Sequence, residues 1–171
     1  LDNCYFTWVQ GGDATWFGQT TTTRDGEAAG ESGDISDEQE SWIETTTNMS
    51  GTLSFWWKVS CEEGYDYLGF YTDGILHEVI HGNTEWRRRI YYVEAGTTLR
   101  WCYSKDGSLS SGSDCGWVDM VEFIPDDPLL VEPNDTFAST GYEGGPFTPK
   151  SKTYVLSNNS DEPLDWSVTP S

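Results

Sequence analysis

Hydrophobic and polar residues alternate in short runs along most of the chain, which is the period of a β-strand. In the clearest run, residues 53–59, every second residue is apolar and falls on one face: Leu53, Phe55, Trp57 and Val59. Long helical periodicity is nearly absent. Comparable runs predict strands at residues 67–72, 75–80, 87–93, 98–103 and 117–124, with weaker ones at 5–9 and 42–46. We therefore predict an all-β fold, an antiparallel β-sandwich or jelly roll.

Turn residues separate these runs at short, regular intervals. Asp73-Gly74 lies between two predicted strands and is a strong hairpin signal. Gly82-Asn83 and Ala95-Gly96 mark further turns. Residues 10–41 are acidic and rich in loop-forming residues, so we expect a long connection there.

The alternation stops after residue 124, where Pro125-Asp126-Asp127-Pro128 cannot continue a central strand. We predict a domain at residues 1–124, a Pro-rich acidic linker at 125–145, and a short β segment at 146–171. Within that last segment, strands are expected at 152–156 and 164–168. Two strands cannot bury a core by themselves, so the segment must pack against something.

The chain is strongly acidic, with 29 Asp and Glu against 9 Lys and Arg and a net charge near −20. Such a surface repels nucleic acid and anionic membranes, so neither is an expected partner. No apolar run reaches the length of a membrane-spanning helix. The 9 Trp, 9 Tyr and 7 Phe exclude a disordered chain. Because it begins at Leu1, we expect a processed product or an excised piece of a secreted, extracellular or cell-surface protein.

Four cysteines occur without a C-x-x-C pair, which does not support a zinc ribbon or a thioredoxin-type site: Cys4, Cys61, Cys102 and Cys115. Two disulfides in an oxidising compartment fit the composition better, and three connectivities are possible. Cys61 and Cys115 both lie where strands meet loops, whereas Cys4 and Cys102 lie within strands. We favour Cys61–Cys115 and Cys4–Cys102 on that ground.

Several segments resemble the MAM-like jelly-roll modules of secreted bacterial proteases and polysaccharide-degrading enzymes. The resemblance is carried by residues 51–61 (GTLSFWWKVSC), 65–74 (YDYLGFYTDG), 101–107 (WCYSKDG) and 110–119 (SSGSDCGWVD). Cleaved adhesin domains of gingipain-type proteases are more distant relatives. The tail from residue 145 (GPFTPKSKTYVLSN) is similar to the start of a bacterial Ig-like repeat. The resemblance implies a jelly roll with a binding or adhesive role, often stabilised by calcium, and no catalysis.

A calcium site is the most specific chemical prediction. Asp119 alternates with Trp117, Val121 and Phe123, so the pattern places a carboxylate among apolar side chains, where it needs a cation or a charged partner. Loop carboxylates can complete the site, and the predicted metal ligands are Asp2, Asp25, Glu27 and Asp119. A salt bridge of Asp119, for example to Arg100, is the alternative. The Ser/Gly-rich loop 104–114, with Lys105-Asp106-Gly107, is a candidate for a ligand or a second cation.

Some aromatic residues lie in or beside loops, where exposed rings can stack on sugars. The predicted ligand-binding residues are Trp16, Trp42, Tyr65 and Trp86. Core packing is the alternative for each, and Trp16-Phe17 could also fasten the acidic loop.

His77-Glu78-Val79-Ile80-His81 matches the H-E-x-x-H motif of zinc proteases. That motif needs a helix, whereas turn residues bound this segment on both sides. In a strand the two histidines lie about 13 Å apart, too far to share one ion. With two histidines in the chain and no G-x-S-x-G, a catalytic triad is not supported either.

We predict a non-catalytic, calcium-stabilised extracellular module that recognises a glycan or a protein surface. The alternative is a structural subunit of an extracellular filament or surface assembly. In that case the β tail would self-assemble by strand addition to a neighbouring chain.

Overall fold

The computed structural model describes residues 6–126, 129–133, 135–158 and 163–167. It forms two compact units, Leu1–Asp126 and Asp127–Ser171. The described residues contain strands and no helix, which confirms the predicted all-β class. No described helix is long and apolar enough to cross a membrane.

Ten strands build the larger unit in two five-stranded antiparallel sheets. Sheet A has the order β1-β4-β9-β6-β7, and sheet B has the order β2-β3-β10-β5-β8. The strand bounds are β1 Val9–Gly12, β2 Phe17–Gln19, β3 Ala29–Glu31, β4 Glu40–Thr46, β5 Gly51–Ser60, β6 Tyr67–Thr72, β7 Ile75–Ile80, β8 Arg87–Val93, β9 Thr98–Ser104 and β10 Cys115–Pro125. Four strand pairs enclose one another along the chain: β6·β7 lies inside β5·β8, which lies inside β4·β9 and then β3·β10. Successive pairs alternate between the two sheets, which is the jelly-roll topology.

An aromatic core fills the space between the sheets. Phe55 of sheet B lies 5.0 Å, ring centre to ring centre, from Trp101 and 4.9 Å from Phe70 of sheet A. These distances are in the range of favourable ring contacts. The alternation predicted for residues 53–59 is confirmed, because Leu53, Phe55, Trp57 and Val59 are all fully buried.

The last long strand departs from the predicted alternation at one point. Between Asp119 and Glu122, β10 carries two residues where β5 carries one, and Met120 adopts a positive φ of 49°. This β-bulge reverses the face on which the following side chains lie. Asp119 therefore shares a face with Trp117, while Val121 and Phe123 point into the core. The prediction that all four side chains share one face is wrong for this reason.

The smaller unit contains two short antiparallel ribbons. Its strands are β11 Leu129–Glu132, β12 Thr140–Gly141, β13 Phe147–Thr148 and β14 Val155–Asn158; β11 pairs with β14, and β12 pairs with β13. Strands thus occur inside the predicted linker 125–145. The strand expected at 152–156 is found as β14, which begins three residues later and ends two residues later. The described part of the strand expected at 164–168, residues 164–167, is not a strand.

Candidate functional site

The outer surface of sheet A carries three aromatic side chains that the strand register places on one side. Trp42 lies opposite Cys102, which in turn lies opposite Gly69, so these residues share the outward face. Tyr67 and Tyr71 flank Gly69 on β6 and therefore point the same way. We call Trp42, Tyr67 and Tyr71 the aromatic face. At ordinary strand spacings it covers roughly 13 Å along β6 and about 10 Å across three strands.

Two glycines let these rings lie close to the sheet. A Cβ atom added at Gly11 would lie 2.4 Å from Cζ2 of Trp42, and one added at Gly69 would lie 2.8 Å from Cε2 of Tyr71. Any side chain at either position would push the ring away. The aromatic face is therefore built from rings that lie over glycine backbone.

Charged groups lie next to these rings. The Arg100 guanidinium stacks over the Trp42 ring with its carbon 4.1 Å from the ring centre. Glu44 fixes that guanidinium through contacts of 2.7 Å to Nε and 2.6 Å to the terminal nitrogen. This Glu44–Arg100 pair excludes the alternative in which Arg100 neutralises Asp119. It also supplies hydrogen-bonding groups beside a flat ring.

The hydroxyl of Tyr71 stays protonated at neutral pH. Partial burial, followed by the nearby Cys102 and Glu40, raises the pKa of Tyr71. The neighbouring Cys102 thiol donates to a Glu40 carboxylate oxygen at 3.7 Å. Tyr71 therefore offers a ring face and a hydrogen-bond donor at one place.

The four predicted aromatic ligands do not form one site. Trp16 is 5% exposed and belongs to the hydrophobic core, so its prediction as a surface ligand residue is wrong. It lines a cavity of about 240 Å³ together with Trp8 and Phe17. Tyr65 is exposed in the loop before β6, Trp86 is half-buried just before β8, and Trp42 alone lies on the aromatic face.

Tyr71 was not among the ligand-binding residues predicted from the sequence. The signal was present in residues 67–72, because Leu68 and Phe70 are buried while the residues between them face outward. Reading both faces of that predicted strand would have found Tyr71 beside Tyr67.

Asp119, the central predicted calcium ligand, is fully buried on the outer side of sheet B. The segment before β3 covers it, since Arg24 stacks over Trp56 at 4.3 Å and donates its backbone N–H to Asp119 Oδ2 at 2.6 Å. The backbone N–H of Met120 donates to Asp119 Oδ1 at 2.7 Å. Asp119 is therefore stabilised by main-chain donors, which suit an ionised carboxylate.

The other predicted calcium ligands are placed less closely. Asp25 and Glu27 follow Arg24 in the same segment, and Asp25 Oδ1 accepts the Glu27 backbone N–H at 2.8 Å. Among the described residues, the carboxylates of Asp25, Glu27 and Asp119 do not converge tightly enough to share one ion. Asp2 lies outside the described residues.

Three cysteines are described, and each is a buried free thiol. Cys115 lies opposite Ser60 in the β5–β10 ladder and shares the outer face of sheet B with Trp117, whereas Cys61 belongs to the core, so the predicted bond between them is not formed. Burial raises the pKa of Cys61 to about 11 and that of Cys102 to about 12. Cys4 lies outside the described residues, so its pairing with Cys102 stays a prediction.

The H-E-x-x-H segment lies in β7, as the turn residues indicated. His77 Nε2 is bonded to the Thr72 hydroxyl at 2.5 Å, whereas His81 Nδ1 lies 3.3 Å from Glu63. Glu78 is bound by Arg89. The three residues therefore have separate partners.

No family model matches this chain, and no curated protein matches it. Among solved structures, it is similar to the secreted serine protease VesC from Vibrio cholerae, with a TM-score of 0.55 and 18% identity. That match covers 66% of this chain but 23% of VesC. It supports the β-sandwich fold.

Weaker matches include the K1 cleaved adhesin domain of Lys-gingipain from Porphyromonas gingivalis. It has a TM-score of 0.48 and 12% identity, over 73% of this chain and 93% of that domain. TmCBM61 in complex with β-1,4-galactotriose has a TM-score of 0.45 and 15% identity, over 70% of this chain and 88% of the other.

Proposed function

We propose that this chain is a non-catalytic, extracellular binding module that holds a neutral glycan on the aromatic face of sheet A. The main supporting observation is that Trp42, Tyr67 and Tyr71 lie on one outward face, and that the rings of Trp42 and Tyr71 lie over glycine backbone. Rings of this kind give an apolar plane for the C–H side of a sugar. The Glu44–Arg100 pair and the Tyr71 hydroxyl supply the hydrogen bonds that orient a ligand.

The charge of the chain selects among glycans. With a net charge near −20, the protein repels acidic polysaccharides such as sulfated or uronic-acid polymers. A neutral polysaccharide carries no such penalty. A protein surface is the second kind of ligand that an aromatic face of this size can bind.

The partners of the two histidines support a non-catalytic role. His77 bonds a threonine hydroxyl in an exposed hairpin and has no carboxylate partner among the described ion pairs. His81 is paired with Glu63 and has no serine or cysteine beside it among the described contacts. Neither arrangement provides an oriented nucleophile and base.

Binding to immobilised neutral polysaccharides tests the proposal. We would measure retention and calorimetric affinity on β-1,4-linked glucan, mannan and galactan. Trp42→Ala and Tyr71→Ala are expected to weaken binding about tenfold or more, because each removes a stacking surface. Tyr92→Ala is the matched control, because Tyr92 is 59% exposed on the edge strand β8 of sheet B.

The control decides the outcome. If Tyr92→Ala weakens binding as much as Tyr71→Ala, the aromatic face is not the site. Equal binding by wild type and Trp42→Ala would refute it as well. If none of the polysaccharides binds while a protein partner does so through Trp42, the ligand class is wrong and the surface is right.

Calcium stabilisation is the second part of the proposal. Asp119 is a fully buried carboxylate beneath the segment that follows Arg24, and because Asp25 and Glu27 do not converge on it, an ion bound to Asp119 would take its other oxygens from backbone carbonyls and water. Removing calcium with EDTA is then expected to lower the melting temperature, and Asp119→Asn is expected to make that decrease smaller, because the variant has already lost the ion at Asp119. An unchanged melting temperature of the wild type in EDTA contradicts this part.

The smaller unit supports the alternative role in an assembly. Its ribbon β11–β14 exposes apolar side chains, among them Leu130 at 40% and Val155 at 58%. Exposed apolar ribbons favour association with another chain. The wild-type chain is expected to form concentration-dependent oligomers in sedimentation, and the double variant Leu130→Ser/Val155→Ser is expected to lose them. If wild type and double variant are both monomers at every concentration, the alternative is refuted.

A further inference from the structure

Two loops that are far apart in sequence meet at one end of the larger unit. The first joins β5 to β6 and contains Glu62 and Asp66, and the second follows β9 and contains Asp106. The Asp106 backbone N–H donates to Asp66 Oδ1 at 2.9 Å. This bond brings carboxylates from both loops together.

The three carboxylates have the spacing of ligands on one ion. One oxygen from each of Glu62, Asp66 and Asp106 lies within 4.8 Å of the other two. Calcium binds oxygens at about 2.3–2.6 Å, so two ligand oxygens on one ion are at most about 5 Å apart. All three oxygens can therefore contact a single cation.

Burial supplies a second, independent indication. Asp66 has no exposed surface, and its Oδ2 has no hydrogen-bond partner. Glu62 Oε2 is also buried without a hydrogen-bond partner. A buried carboxylate oxygen that accepts nothing is costly, and a bound cation removes that cost.

Protein cations do not fill this role. Among the described ion pairs, none includes Glu62, Asp66 or Asp106. Lys105 is adjacent in sequence, but its Nζ bonds Asp114 and lies 2.7 Å from Ser110 Oγ. Lys105 therefore contacts Asp114 directly and acts on Glu62 and Asp66 only at longer range.

We propose that Glu62, Asp66 and Asp106 form a calcium site, separate from the one proposed at Asp119. The ligands are all oxygens, which disfavours zinc and other metals that prefer nitrogen or sulfur. The nearby Cys61 thiol donates to the Asp66 carbonyl at 3.2 Å. Water and backbone carbonyls complete the coordination that three carboxylates begin.

A cation here joins the two loops. Tyr65, which is 57% exposed, directly precedes Asp66, and Tyr67 of the aromatic face directly follows it. Calcium binding would therefore fix the start of β6. This site does not depend on the glycan proposal, because it is defined by metal binding alone.

The test counts bound calcium in the purified full chain. After chelation and dialysis, we would measure the stoichiometry by calorimetry and by elemental analysis of the dialysed complex. Asp66→Asn is expected to lower the count by one ion or to weaken the affinity of one ion at least about tenfold. Asn retains an oxygen that accepts the Asp106 N–H, so the loop contact is preserved. Glu62→Gln is the second variant, and Asp34→Asn, an exposed acid in another loop, is the control.

The free energy of unfolding, measured with and without calcium, separates a metal-binding role of Asp66 from a purely structural one. In EDTA, Asp66→Asn should be at least as stable as wild type, because it relieves repulsion among three carboxylates. In excess calcium the order should reverse. An unchanged calcium count in both Asp66→Asn and Glu62→Gln overturns the proposal, and so does a loss of the same size in Asp34→Asn. Asp119→Asn identifies the other ion, so failure of one site is distinguishable from failure of the other.

Discussion

Glu78 of β7 and Arg89 of β8 form a two-point ion pair that joins the edge strand of sheet A to the edge strand of sheet B. Arg89 Nε donates to one Glu78 carboxylate oxygen at 2.5 Å, and the terminal nitrogen donates to the other oxygen. The Tyr91 hydroxyl lies 3.4 Å from the same carboxylate. The pair links the two sheets at an open side of the sandwich, where no backbone ladder joins the described strands β7 and β8.

Glu78→Gln should destabilise the protein by about 1 kcal/mol at neutral pH, since a partly buried two-point pair contributes more than an exposed one. The hydrogen bond from Arg89 lowers the pKa of Glu78. This contribution is therefore complete above the unfolded pKa of about 4.3 and is lost as pH falls through the lower folded pKa. Urea unfolding from pH 3 to 8 checks it.

The matched control is Glu85→Gln, at an exposed site. It should leave the free energy of unfolding unchanged within error. A Glu78→Gln curve parallel to that of wild type at every pH would contradict the assignment.

A second ion pair, between Lys105 and Asp114, lies inside the loop region. The Lys105 side chain is 1% exposed, and Asp114 also accepts from the Tyr103 hydroxyl at 2.9 Å. Burial raises the pKa of Asp114, but hydrogen bonds from Lys105, Tyr103 and Ser110 outweigh it and leave the pKa lowered.

Lys105→Met should therefore cost about 3 kcal/mol, because it leaves a largely buried carboxylate without its cation. Urea unfolding in EDTA, where bound metal does not contribute, measures this cost. Lys150→Met, at an exposed position, is the control and should be close to neutral. Equal effects of the two substitutions would show that Lys105 is not a structural cation.

Alternation and turn residues were sufficient to predict three consecutive strands of the larger unit. The expected strands at 67–72, 75–80 and 87–93 coincide with β6, β7 and β8. Each is a run of six or seven residues rich in β-branched or aromatic side chains and is followed by a turn or loop. The weaker strand predicted at 5–9 is found later in the chain, as β1 at Val9–Gly12.

The missed elements share a physical reason. Strands β2 and β3 contain three residues each, too few to show a period in an acidic, Gly-rich segment. The bulge after Asp119 depends on one extra residue, which reads as continued alternation in the sequence. The triad of Glu62, Asp66 and Asp106 needs a contact between residues 40 positions apart, and no local pattern encodes it.

Phe55 is expected to be a large single contributor to stability. Its ring contacts Trp57, Phe70, Tyr91 and Trp101, which come from both sheets. Phe55→Ala should cost about 4 kcal/mol, because the rigid rings around the cavity cannot collapse into it. Phe17→Ala, at a ring that is 50% exposed, should cost much less in the same urea titration.

The last prediction concerns the cysteines. Cys61 belongs to the core, whereas Cys115 shares the outer face of sheet B with Trp117, so folded protein produced in an oxidising compartment should contain no Cys61–Cys115 bond. Peptide mapping without reduction would detect such a bond as one linked fragment. Reduced protein should alkylate slowly at pH 8, because a thiol with a pKa of about 11, such as Cys61, is about 0.1% thiolate there. Chain made in a reducing cytosol and kept reduced is the control. A linked fragment that joins Cys61 to Cys115 would contradict this arrangement, because the two side chains lie on opposite faces of sheet B.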